Sequence, residues 1–149
     1  MLKGFSVGRV HYVCSKEIHG REQAPQKIHH ARQRALVAAA ILDVLRELST
    51  AYLGRKRFGS CADELALLAA VFVGQAEGKP MATAKVAEYA GVARASAIRK
   101  LDRLVKRGIV EKVGRRYALP AHVVNGPAVL RAADAARKRI RRAAAAIGS

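Results

Sequence analysis

Six cations fall within the sixteen residues ARASAIRKLDRLVKRG, positions 93–108: Arg94, Arg99, Lys100, Arg103, Lys106 and Arg107. No serine–histidine or paired-carboxylate arrangement accompanies them, so the chemistry they offer is recognition of anions. A guanidinium forks onto phosphate or carboxylate oxygens, or onto the O6 and N7 of guanine. Advancing 100° per residue from Leu101 puts Ala97, Ile98, Leu104 and Val105 within about 60° of it, a core-facing arc. Ala95, Ser96, Arg99, Arg103, Lys106 and Arg107 occupy the opposite arc. Arg99 and Arg103 lie one turn apart, where like charges repel. Asp102 is placed to pair with Lys106 at i+4, which relieves part of that crowding.

The elements around this helix must hold it in place. Residues 28–52 carry Ile41, Leu45, Leu48 and Tyr52 at spacings of four and three, the pattern of a long amphipathic helix. Gly54 and the basic run 55–57 suit its C-terminal end. Ser60 followed by Asp63 is a loose capping box opening the apolar helix ELALLAAVFV, and Gly74, Gly78 and Pro80 end it. Thr83 is the expected N-cap of a short helix through Val86, Ala87 and Ala90, closed by Gly91. After Gly108, IVEKV and RYAL flank Gly114-Arg115 as a compact hairpin that stops at Pro120. Asn125-Gly126-Pro127 starts a last helix with an apolar stripe through Leu130, Ala133, Ile140, Ala144 and Ile147. Residues 1–27, with partial alternation through Phe5, Val7, Val10, Tyr12 and Cys14, fit either a short hairpin or an arm.

A short helix, a glycine turn, a second helix with a basic outer face and a basic-tipped hairpin form the arrangement that lays one helix in the major groove of DNA. The charge balance agrees: 28 Lys and Arg against 11 Asp and Glu give +17, enough to attract a polyanion over distance. Residues 61–83 are the one net-acidic segment between basic neighbours. Arg94, Ser96 and Arg99, early on the helix, are expected at base edges, with Arg99 on a guanine. Arg103, Lys106 and Arg107 are expected at phosphates. Arg115 and Arg116 suit phosphate or a narrow minor groove, and Thr83 adds a phosphate contact at a helix N-terminus.

The run KPMATAKVAEYAGVARASAIRKLDRLVKRGIVEKVGRRYAL resembles a bacterial winged helix-turn-helix domain, and the order of helices is similar to the multiple-antibiotic-resistance regulator (MarR) family, best over residues 60–119. Thr83, Gly91-Val92 and the Leu-x-x-x-Gly-Ile-Val of residues 104–110 match its motif. Ala93 stands where that family carries a serine or threonine cap, and the hairpin is shorter and lacks an Asp-x-Arg element, closer to the wings of other winged-helix regulators. The resemblance implies a mainly α winged helix-turn-helix fold with a short β-hairpin wing and N- and C-terminal dimerisation helices. It divides the chain into an arm (1–27), a dimerisation helix (28–59), a DNA-binding lobe (60–120) and a second dimerisation helix (121–149). It implies a homodimer on palindromic double-stranded DNA, repressing transcription and open to a small-molecule effector.

Other functions are less well served. The longest apolar runs, 35–42 and 65–73, fall short of the ~18 residues that cross a bilayer, and no secretory signal is visible, so a cytoplasmic location without membrane contact is expected. Cys14, His19, His29 and His30 have no established metal-ligand spacing, so no metal or other cofactor is expected. Cys61 near a helix start is a candidate redox thiol against the plainer reading of an inert one. The runs 137–139 and 141–142 read as the solvated face of the last helix. No phosphate-binding loop, Gly-x-Ser-x-Gly elbow or His-Glu-x-x-His pair is present, so enzyme activity is not expected. Two rivals remain: a sequence-neutral architectural or replication-linked DNA binder, and a protein-interaction module whose charge serves solubility.

Overall fold

The structure, a computed structural model, describes residues 24–147 apart from Lys56. Cys14, His19 and residues 1–23 of the expected arm lie outside the described residues. Helix α1 (Ala24–Leu53) begins four residues before the expected start. Pro25 falls in its first turn, where a missing N–H breaks no intrahelical bond. At 30 residues it is about 45 Å long. It ends at Gly54, whose φ of 65° lets its N–H return to Thr50 O at 3.0 Å.

A single 3₁₀ turn (Phe58–Ser60) leads into α2 (Ala62–Ala76). The Ser60–Asp63 capping box does not form. The 3₁₀ turn takes the Ser60 hydroxyl, which donates to Arg57 O at 2.8 Å, and the N-cap moves to Cys61, which has no side-chain cap bond. Helix α2 is the centre of the lobe: Leu65, Leu67, Leu68, Ala70 and Val71 are buried against Val86 and Ala87 of α3 (Thr83–Ala90) and Ala97, Leu101 and Leu104 of α4 (Arg94–Lys106). Gly74 is required here, because a Cβ would stand 2.9 Å from both Lys79 O and Met81 Cγ.

Strands β1 (Glu111–Val113) and β2 (Arg116–Ala118) pair antiparallel with Val113 opposite Arg116, leaving Gly114-Arg115 as a two-residue loop. The sheet is fixed to the lobe at three points. Ala82 bridges Arg116, Tyr117 N–H donates to Met81 O at 3.1 Å, and the Gln75 side-chain amide both accepts from Leu119 N (2.7 Å) and donates to Leu119 O (3.1 Å). The Ala82 bridge also explains a second shift. Extended at φ −79°, ψ 164°, Ala82 takes the N-cap position of α3, and Thr83 becomes the first helical residue.

A four-residue helix α5 (Ala121–Val124), not anticipated, precedes α6 (Pro127–Ile147), which starts on Pro127 as expected. Helix α6 runs antiparallel to α1. Gln33 Nε2 donates to Ile147 O at 3.1 Å, while Arg139 reaches Asp43 Oδ2 at 2.8 Å and also Glu47. Val129, Ala132 and Ala136 are buried. The expected stripe turns the other way: Leu130, Ile140 and Ile147 are exposed, as are Ile41 and Leu42 on α1 and Phe72 on α2. Between α1, α2 and α6 lies an open apolar groove of about 720 Å³, with Leu45, Leu48, Phe72 and Ile140 among its walls. Partial burial in it pushes the Tyr52 phenol above its ordinary value. The architecture is mainly α with one small antiparallel sheet. Among the described residues no helix is long and apolar enough to cross a membrane.

Candidate nucleic-acid interface

Helices α3 and α4 are joined by Gly91, whose φ of 65° lets Gly91 N–H reach Glu88 O at 3.2 Å and Val92 N–H reach Ala87 O at 3.0 Å. These bonds satisfy carbonyls that the end of α3 would otherwise orphan. Helix α4 then opens on Ala93 with no side-chain cap, as the sequence implies. Ala97, Leu101 and Leu104 are fully buried and fix its rotation. Ile98, placed in the core arc by the 100° projection, is 42% exposed. It lies at the edge of that arc, about 60° from Leu101.

The cations of α4 divide into two groups. Lys100, Arg103 and Arg107 face the first turn of α2. Lys100 Nζ lies 2.8 Å from Asp63 Oδ2, Arg103 Nη2 3.6 Å from Glu64 Oε1, and Arg107 Nη1 3.9 Å from Glu64 Oε2. Arg107 also donates through Nη2 to Leu53 O at 3.0 Å, satisfying a terminal carbonyl of α1. Arg94, Arg99 and Lys106 form the second group. Arg99 reaches only Ser96 Oγ, at 3.4 Å, and among the described residues none of the three has a carboxylate partner. The expected Asp102–Lys106 pair is not formed. Ser96, Arg99, Lys100, Asp102, Arg103 and Lys106 line an open basin of about 520 Å³ on this face.

On the hairpin, Arg115 occupies the loop and Arg116 the adjoining strand position, both exposed and without a carboxylate partner among the described residues. Tyr117 is buried beneath them, with Lys112 Nζ 5.8 Å from its ring centroid. Thr83 donates its hydroxyl to Tyr117 Oη at 3.3 Å. That bond ties α3 to the hairpin and engages the Thr83 hydroxyl within the chain.

Of the residues expected at this interface, Ser96, Arg99, Arg103 and Lys106 share one face, Arg94 is exposed in the first turn of α4 about 20° from the Leu101 direction by the same projection, Arg107 is turned toward α1, and Arg115 and Arg116 cluster on the hairpin. Reading the sequence assigned Asp63 only a capping role and missed Glu64 and Gln75. The acidic segment 61–83 was the available signal for the first two, since its charges fall in the first turn of α2, where a helix dipole favours carboxylates. Gln75 carries no sequence signal, because a glutamine in the last turn of a helix is ordinary. Cys61 is buried, with Sγ 3.4 Å from Phe58 O. Compared with family models, curated proteins and solved structures, the chain has no match.

Proposed function

We propose that this protein is a sequence-specific double-stranded DNA-binding transcriptional regulator of the winged helix-turn-helix type, a homodimer that most simply acts as a repressor. The observation that carries the reading is the set of exposed cations without carboxylate partners, Arg94, Arg99 and Lys106 on α4 with Arg115 and Arg116 on the adjoining hairpin. Helix α4 enters the major groove with its N-terminal half at the bases. Arg99 forks onto a guanine, Ser96 contacts a neighbouring base edge, and Lys106 with Arg103 meets phosphates. The hairpin reaches the flanking backbone or minor groove.

Dimerisation is supported by the exposed apolar residues Ile41, Leu42, Leu130, Ile140 and Ile147 along the α1–α6 pair, which a second copy would cover. A two-fold axis through these helices calls for a palindromic site with half-sites about 34 Å apart.

The test is DNA affinity measured by fluorescence anisotropy across a salt series, with sites selected from random DNA. A log–log salt slope of several units and a palindromic selected site, bound about a thousandfold more tightly than bulk DNA, are expected. Salt-dependent binding without sequence preference assigns the protein to the sequence-neutral architectural class instead. Binding that is absent or indifferent to salt overturns the reading.

A further inference from the structure

Glu64 stands apart from the other carboxylates of the described residues. It is 8% exposed, and its Oε2 is buried without a hydrogen-bond donor among the described residues. The two guanidiniums beside it, Arg103 at 3.6 Å and Arg107 at 3.9 Å, are near enough for ionic attraction and too far for hydrogen bonds. Glu64 is the third residue of α2, within the first turn, where the helix dipole favours its negative charge. An optimised structural salt bridge would be a bidentate fork at about 2.7–2.9 Å. Here a fixed anion instead holds two arginines loosely, one of them, Arg103, with its side chain 61% exposed on the face that carries Arg99 and Lys106.

We propose that Glu64 is a built-in surrogate for a DNA phosphate, which competes with the backbone for Arg103 and Arg107 and so lowers affinity for DNA of any sequence. The inference rests on the DNA-binding reading above. When α4 docks, Arg103 swings from Glu64 to a phosphate. Arg107, also bound to Leu53 O, follows only in part. The carboxylate left behind is compensated by the helix dipole and by Arg107. Weakening phosphate contacts without touching Arg99 leaves a larger share of the binding to base readout, since phosphate contacts carry no sequence information.

The experiment compares the full-length protein with Glu64→Gln and with Asp134→Asn, which changes net charge equally on α6 away from this face. Affinity for one DNA duplex is followed across a salt series. Glu64→Gln is expected to bind about three- to tenfold more tightly near 0.1 M salt, with the log–log slope little changed because Arg103 meets the same phosphate in both proteins, while Asp134→Asn follows the wild type. A merely structural role for Glu64 would shift the melting temperature and leave the affinity unchanged. If Glu64→Gln does not fold, Glu64→Asp keeps the charge but withdraws it by one methylene, and a smaller gain in affinity is expected. Wild-type affinity in the glutamine variant overturns this inference alone. Wild-type binding that is absent or salt-independent overturns the DNA reading and this inference with it.

Discussion

Replacing Gln75 by methionine separates the hairpin from the helix that positions it. The glutamine amide sits against Leu119 as a neighbouring strand would, accepting from its N–H at 2.7 Å and donating to its carbonyl at 3.1 Å, and Leu119 is only 2% exposed. Methionine preserves length, helix propensity and most of the volume, so the loss is confined to those two bonds. A buried backbone group stripped of its partner costs about 1–3 kcal/mol. With two such groups and some access for water at a half-buried side chain, the variant should lose about 2–4 kcal/mol.

Urea denaturation measures this as a lower midpoint at constant m-value, and hydrogen exchange should show the Leu119 amide opening sooner than the amides of α2. Gln75→Glu adds a check of sign. It keeps the acceptor but sets a carboxylate against the Leu119 carbonyl, and protonation restores the donor. The folded state therefore binds this proton more tightly than the unfolded chain, whose ordinary glutamate value is about 4.3. The added stability is fully present below that value and is lost as pH rises through the higher folded one. A loss under about 0.5 kcal/mol for Gln75→Met, with the Leu119 amide still protected, would refute the idea that this amide anchors the sheet.

Arg99→Ala should relax base preference at one position of a selected site, costing about 1–3 kcal/mol against the preferred base, whereas Arg116→Ala should weaken all sequences alike; identical profiles would remove the distinction between α4 and the hairpin. Gly91→Ala meets nothing within 4 Å, so its cost is that of a side chain at φ 65°, about 1 kcal/mol, read as a shifted denaturation midpoint. Ile140→Glu places a charge on the exposed apolar stripe and should convert dimer to monomer in sedimentation equilibrium with unchanged helical circular dichroism; an unaltered oligomeric state would exclude this face from the interface.

The elements legible in the sequence were those governed by local rules. Glycines at positive φ end α1 and α3, the two-residue loop 114–115 sets the hairpin register, and the spacing of Ala97, Leu101 and Leu104 orients α4. The departures come from long-range contacts. Ser60 has the composition of a cap, but the preceding 3₁₀ turn takes its hydroxyl, and Thr83 loses the cap position because Ala82 pairs with Arg116, thirty-four residues away. The α6 stripe was found as a periodicity, yet periodicity does not say which of two apolar faces meets α1. Small residues, Ala132 and Ala136, let the helices approach there, while the larger Ile140 and Ile147 remain outside.

The repulsion between Arg99 and Arg103 first pointed to an external anion, and the fold changes that inference. A like-charge pair one turn apart costs about 0.2–0.5 kcal/mol, and Glu64 lies near enough to Arg103 to offset it within the chain. Arg94, Arg99, Lys106, Arg115 and Arg116 have no carboxylate partner among the described residues, so an external anion would meet them without displacing one. Elsewhere the chain pairs surface cations with carboxylates three or four residues away: Arg46 with Asp43, Lys85 with Glu88, Lys138 with Asp134. On the outer face of α4 the same device is within reach, because Asp102 is one turn from Lys106, yet no ion pair forms. A face kept for solvent would gain from that pairing, as the other helices do. A face that exchanges its counterions for phosphates gains more by leaving its cations free, since each counterion released contributes to binding.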